Sequence, residues 1–147
     1  MSDVIVRRMA DRDLEEVATL EKQIFSDPWS YDSFKSDLNN EMALPLVAIL
    51  DNTVVGYSCL YVVADEMQVG NFAISPDFHK RGFGKLLMNE VVRLALGRKC
   101  EFIFLEVRES NGAAQALYGS FGFKTVGRRN NYYRNPVENA IIMVKEL

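Results

Sequence analysis

Residues 71–87, Asn71-Phe72-Ala73-Ile74-Ser75-Pro76-Asp77-Phe78-His79-Lys80-Arg81-Gly82-Phe83-Gly84-Lys85-Leu86-Leu87, change character twice. Gln68 to Ile74 is rich in β-branched and aromatic residues, which marks a strand. From Phe83 onward Leu86, Leu87, Val91, Leu94 and Ala95 form a helical stripe. Between them lies His79-Lys80-Arg81-Gly82-Phe83-Gly84-Lys85. Glycines let a backbone turn tightly and approach a ligand, and the first amides of the following helix lack internal partners. With the helix dipole and cationic neighbours, that junction makes a pyrophosphate cradle. The spacing alone describes equally well a glycine loop with basic solvent-facing residues. Rival phosphate motifs fail, because the Walker pattern needs glycine at His79 and Ser or Thr at Leu86, and the dinucleotide fingerprint needs glycine at Leu87.

Outward from this junction the pattern alternates. Val4 to Arg8 reads as a short strand, followed by a helix from Asp11 with apolar Leu14, Val17, Ala18, Leu20, Ile24 and Phe25 and with Asp11 or Asp13 as cap. Asp27-Pro28 ends it, and Ser30 caps a second helix that turns Phe34 and Leu38 inward. Leu46–Leu50 and Val54–Val63 are strands joined by the turn Asp51-Asn52. Phe102–Val107 is a nearly continuous apolar strand, expected where both faces are covered. Asn111 opens a compact helix to Phe121, with Gly122 just past its end, and two strands follow near Lys124–Tyr133 and Ala140–Glu146. The order is β-α-α-β-β-β-α-β-α-β-β. A helix between the strands ending at Ile74 and starting at Phe102 makes those two parallel, within a mixed sheet flanked by helices.

The 147 residues carry 48% hydrophobic and 25% charged side chains, which suits one globular domain spanning 1–147, without repeats or linkers. A net charge of -3 gives no footprint of a nucleic-acid binder. One histidine, and two cysteines set singly in apolar stretches, leave no metal-ligand spacing. Cys59 and Cys100 read as buried free thiols. Met1-Ser2-Asp3-Val4 starts no secretory leader, and no apolar run approaches the ~18 residues of a membrane span. A cytoplasmic location is the expectation.

Two further residues carry chemistry. Glu106 sits inside the apolar strand, where an ionised carboxylate is costly unless it lies at an open end or has a task. Desolvation there strengthens it as a general base. Alternatively it is a strand-end glutamate paired with Arg108. Tyr118, beside Ala114 and Leu117, is either a core tyrosine with a satisfied hydroxyl or a proton donor.

Positions 79–84 resemble the loop of the GNAT acetyltransferase superfamily: Arg or Gln, two variable residues, Gly, one variable residue, then Gly or Ala. His79 departs from that pattern. Leu105-Glu106-Val107-Arg108, Ser110-Asn111, Ala116-Leu117-Tyr118 and Gly122-Phe123 resemble the second half of peptide amino-terminal acetyltransferases, above all the bacterial ribosomal-protein alanine group. Pro28-Trp29-Ser30, Asn131-Tyr132-Tyr133 and Glu138 to Met143 agree, so the likeness runs from about Arg7 to Met143.

The resemblance implies the GNAT fold, a mixed, mostly antiparallel sheet with flanking helices, and acetyl-CoA as donor without a metal. It implies a coenzyme site at Phe72, Ala73 and Ile74 on a splayed strand, at Lys80, Arg81, Gly82, Phe83, Gly84 and Lys85 in the loop, and at Asn111. It makes Glu106 the base and Tyr118 the acid of a direct transfer to an amine. A side chain at Gly82 or Gly84 is expected to block the cradle without unfolding the chain. The acceptor implied is a protein amino terminus, such as the alanine of a ribosomal protein, gripped by Arg128, Arg129, Tyr132 and Tyr133 on the loop between the last two strands. A small-molecule amine acetyltransferase, and a module that binds acetyl-CoA without catalysis, remain the alternatives.

Overall fold

Asp51 and Asn52 both take left-handed backbone, with φ of 49° and 64°. Two such residues in succession make a tight hairpin, which folds β2 (Ala43–Leu50) onto β3 (Thr53–Val63). The computed structural model describes residues 3–147. Residues 1 and 2, which belong to the expected unit and to the stretch read for a leader, lie outside the described residues. β1 (Ile5–Arg8) pairs antiparallel with β2, and β4 (Glu66–Ile74) pairs antiparallel with β3.

The long helix α3 (Phe83–Gly97) then crosses over, so that β5 (Phe102–Arg108) runs parallel to β4. After α4 (Gly112–Ser120), β6 (Lys124–Tyr133) and β7 (Glu138–Glu146) return antiparallel, and β7 inserts between β5 and β6. The seven strands lie in the order β1-β2-β3-β4-β5-β7-β6. This mixed sheet with one parallel pair matches the expected order of elements.

Alternation along the strands divides the core between two faces. Leu44, Leu46 and Leu60 join Leu87, Met88 and Val91 of α3 and Tyr118 of α4. Val47, Tyr57 and Cys59 point the other way, to Leu14, Val17 and Ala18 of α1 (Leu14–Ile24) and Phe34 of α2 (Tyr31–Leu38). Cys59 and Cys100 are buried free thiols.

Three local expectations need correction. Neither aspartate caps α1 through its side chain, for Asp13 turns back to accept from Ala10 N–H at 2.7 Å and to bind Arg7 at 2.8 and 2.9 Å. β2 starts at Ala43 and runs through Pro45, because Pro45 lies beyond the end of β1 and still offers its carbonyl to Met9 N–H at 2.9 Å. β5 is covered on one face only. Ile103, Leu105 and Val107 are buried, whereas Phe104 and Glu106 on the opposite face are half-open.

The half-open face follows from how β4 and β5 separate. They pair only from Glu66–Phe102 to Val69–Leu105, and then part. At that point β3 sets Cys59 against Asn71 and Leu60 against Val69, which leaves Gly70 as an extra residue on β4. A bulge bends its strand and increases the local twist, here turning β4 away from its parallel neighbour. No side chain fits at Gly70, where a Cβ would stand 2.7 Å from Tyr61 and 3.0 Å from Trp29.

Candidate functional site

The parting strands open a cleft of about 650 Å³. Glu106, Tyr118, Phe72 and Asn111 line it together. The loop residues from Lys80 to Lys85 do not line this cleft; they come after Ile74, the last residue of β4, and lead into α3.

Glu106 reaches the cleft because β5 places every second side chain on its half-open face. Arg129 Nε stands 2.7 Å from its Oε2, a charge contact without the alignment of a hydrogen bond, and that buried oxygen has no hydrogen-bond donor. Arg108 is not its partner. That guanidinium donates to Glu138 Oε1 (3.1 Å), Pro136 O (3.1 Å) and Arg134 O (2.7 Å), and lies 4.6 Å from the centre of the Tyr133 ring. An underbonded carboxylate oxygen beside a cleft is a competent proton acceptor.

Tyr118 is buried, edge-on to Phe72 at 5.8 Å and tilted against Phe123 at 5.8 Å. The ring is therefore part of the core. Among the described residues its hydroxyl makes no protein hydrogen bond, and Tyr118 lines the cleft. Burial first, and the neighbouring Tyr133 second, push its ionisation well above the ordinary tyrosine value. It keeps its proton at neutral pH, as a donor must. Tyr133 is pushed up to about 12 by burial and by the charge of Glu106.

Asn111 caps α4, accepting from Ala114 N–H at 3.1 Å, and it faces the cleft at the same time. Tyr132 and Tyr133 also line the cleft. They and the two arginines belong to the end of β6 and not to a loop beyond it, and Arg128 is held by Glu109 at 3.4 Å. Several cleft residues went unread in the sequence. Phe104 was legible as the second face of β5. Glu21 carried the stronger signal: it stands with Leu14, Val17 and Ala18 on the inward stripe of α1, where a carboxylate is out of place.

At the loop, Gly82 has φ +82° and precedes the first turn of α3. Leu86 N–H closes onto Gly82 O at 3.2 Å, whereas the amides of Phe83, Gly84 and Lys85 have no backbone acceptor among the described residues. Nothing lies within 4 Å of the place a Gly82 Cβ would take. Three free amides at the positive end of a 15-residue helix, under open space, fit a diphosphate.

Gly84 does a different job from the one expected. A Cβ there would face Leu117 at 3.2 Å, so this glycine lets α3 approach α4 and does not keep the cradle clear. His79 binds back, its Nε2–H donating to Ile74 O at 2.8 Å, and so closes the loop on the end of β4. Lys80 adopts φ 62°, and Arg81 rests 5.3 Å from the ring centres of both Phe78 and Phe83.

Comparison with known proteins agrees with this geometry. The acetyltransferase (GNAT) family model matches residues 13–123. The chain is 35% identical to the ribosomal protein bS18-alanine N-acetyltransferase of Haemophilus influenzae over 142 residues, 95% of this chain and 96% of that one. A Bacillus subtilis protein provisionally given the same name is 37% identical over 139 residues, 94% of this chain and 92% of that one. The crystal structure of the ribosomal-protein-S18-alanine N-acetyltransferase from Escherichia coli superimposes with a TM-score of 0.90 at 31% identity, over 98% of this chain and 94% of that one.

Proposed function

Because the chain belongs to the GNAT acetyltransferase family, and is thus an acetyl-CoA-dependent N-acetyltransferase, we propose that its acceptor is the amino-terminal α-amine of a protein, the alanine of a ribosomal protein being the best match. The observation that carries this reading is the meeting of Glu106 and the unpartnered Tyr118 hydroxyl in one cleft, at the mouth of the β4–β5 separation. Named relatives over nearly the whole length act on that class of acceptor. The reaction belongs in the cytoplasm, where ribosomal proteins are made; among the described residues no helix is long and apolar enough to cross a membrane.

Bound acetyl-CoA supplies an acyl carbon activated as a thioester. The chain's own groups do the rest. The free amides at the start of α3 hold the diphosphate, with Lys80, Arg81 and Lys85 beside them. Phe72, Ala73 and Ile74 guide the thioester arm along β4, and main-chain N–H groups there receive the charge that develops on the carbonyl oxygen. Glu106 takes a proton from the attacking amine, directly or through one water, as the C–N bond forms. Tyr118 gives its proton to the sulfur as the C–S bond breaks. Solvent then returns a proton to Tyr118 and removes the one on Glu106. No Cys–His or Ser–His pair stands in the cleft for a covalent relay, so the amine attacks directly.

A base of moderate strength suits an amino terminus. Near pH 7.4 about a third of α-amines are neutral, against ~0.1% of lysines. The aromatic walls formed by Tyr132 and Tyr133 suit a peptide backbone and a small first side chain. Acetyl transfer to short peptides starting with Ala, Ser or Met, measured beside spermidine and an aminoglycoside, tests the acceptor. The alanine peptide should be turned over best, and equal or faster acetylation of the small amines rejects the reading.

A further inference from the structure

Glu21 is 2% exposed, and its carboxylate is bonded to three other segments of the chain. From α1, Oε2 accepts the main-chain N–H of Trp29 in the α1–α2 connection at 3.0 Å. Oε1 accepts from Tyr57 OH on β3 at 2.8 Å and from Asn71 Nδ2 on β4 at 3.3 Å. Asn71 is the residue that follows the extra glycine of the bulge. Its Oδ1 takes the Cys59 N–H at 2.9 Å, and its own carbonyl accepts from Ser58 Oγ at 2.7 Å. The side chain of Asn71 thus repairs the ladder where β4 bends, and its amide nitrogen donates to Glu21.

A buried carboxylate persists only when fully bonded, and these three donors satisfy it. The same bonds join the two walls of the cleft. On one side is the bulge that turns β4 away from β5. On the other is the connection that carries Trp29, whose ring closes against Gly70 and lies 5.5 Å from Phe34. Glu21 also faces the cleft beside Asp27 and Phe25, yet it has no free proton to move between the reactants and lies apart from the Glu106–Arg129 contact.

We propose that Glu21 is a positioning residue that fixes the acceptor wall of the cleft, through the Trp29 main chain, to the bulge that opens β4, through Asn71. Without it the α1–α2 connection loses its anchor, and the acceptor is no longer held against the thioester. The donor cradle at α3 shares none of these bonds, so the defect falls on the acceptor. The proposal rests on the acetyltransferase reading of the cleft, and one readout below needs no substrate.

Trp29 is the single tryptophan of the chain, so its fluorescence reports the anchored segment directly. Glu21→Gln keeps the shape of the side chain but replaces one accepting oxygen by an amide donor, which then opposes either the Trp29 N–H or the Tyr57 and Asn71 donors. In the folded variant, acrylamide quenching of Trp29 should rise at least twofold, with acetyl-CoA affinity within about threefold of wild type. The kcat/KM for the alanine peptide should fall tenfold or more, chiefly through a raised acceptor KM. Tyr57→Phe, which leaves the Trp29 and Asn71 bonds in place, should change quenching and KM less than threefold.

Unaltered quenching in Glu21→Gln overturns the proposal, as does increased quenching with an unchanged acceptor KM, or a parallel loss of acetyl-CoA affinity. If the glutamine variant does not fold, Glu21→Asp, one methylene shorter with its charge kept, carries the same comparison. If wild type acetylates no peptide, the proposed acceptor is wrong. The quenching comparison and the KM of whichever amine is turned over then still decide the role of Glu21.

Discussion

The cleft beside β4 and the loop that follows β4 are built from different materials. Past Ile74, the cradle consists of main-chain amides at the start of α3 and of one residue, Gly82, held at φ +82°. Along β4 itself, the cleft consists of side chains: Glu106, Tyr118, Phe72, Tyr132 and Tyr133. A site made of backbone tolerates exchange of its side chains, because every residue but proline brings the same amide. A site made of side chains fails when one functional group changes. His79, standing where relatives of this superfamily place Arg or Gln, illustrates the first case. The proposed proton-transfer pair, Glu106 and Tyr118, exemplifies the second.

The strongest way to break the comparison is at Glu106. Glu106→Gln preserves shape and removes the proton acceptor, so kcat should fall by about 10²–10⁴. The acetyl-CoA dissociation constant from calorimetry should stay within about threefold. Normal transfer by this variant would remove Glu106 from the chemistry. A comparable loss of acetyl-CoA affinity would show that the cleft and the loop cradle are not separate.

Tyr118→Phe should cost about ten- to a hundredfold in kcat, less than the loss of the base, because solvent can protonate a departing thiolate. Its pH dependence sharpens the test. Burial raises the Tyr118 ionisation above the ordinary value of 10.0, so the phenol stays protonated throughout the neutral and mildly alkaline range. No descending limb of kcat assignable to Tyr118 should appear below pH 10. The same sign governs stability. A group whose folded ionisation is raised contributes fully below its unfolded value and loses that contribution as pH rises through the folded one. Tyr57, Tyr61 and Tyr118 are all raised, with burial the largest cause at each, so their contribution to chemical-denaturation stability should be lost as the pH rises above about 10.

These residues also show what was legible in the sequence. The order of elements could be read because each depends on local pattern: the stripe of α3, the Asp51-Asn52 turn, the Ser30 cap that accepts from Ser33 N–H. Glu106 stood out as a carboxylate in an apolar strand, but its role and that of Tyr118 came from the resemblance to amino-terminal acetyltransferases and not from burial cost alone. The Arg129 contact, the bulge at Gly70 and the Glu21 anchor could not be read. Each depends on a partner distant in sequence: Arg129 with Glu106, Asn71 with Cys59, Trp29 and Tyr57 with Glu21. The two glycines of the loop looked alike in sequence because spacing does not say which way an absent Cβ would point. Gly82 opens onto empty space and Gly84 onto Leu117.

That difference gives the next prediction. Gly82→Val places a β-branched residue at φ +82°, a left-handed conformation costing about 1–2 kcal/mol, and should weaken acetyl-CoA binding by about tenfold. Gly84→Val should act on packing instead, with Leu117 displaced by a few tenths of an ångström, so its signature is a lowered Tm with affinity kept in the folded fraction. Equal loss of affinity in both variants would restore the view that both glycines clear the cradle.

The smallest effect is expected at His79. Its side chain contributes one hydrogen bond, to Ile74 O, and a neutral bond of that kind is worth about 0.5–1.5 kcal/mol. Much of this bears on loop closure and not on the ligand, so His79→Ala should weaken acetyl-CoA binding by no more than about threefold. His79→Arg, which introduces the superfamily's residue, should leave it close to wild type. The three amides that follow Gly82 are the same in all three proteins. If the alanine variant instead loses binding as heavily as Gly82→Val, the grip on the diphosphate lies in side chains, and the contrast between the cleft and the loop cradle fails.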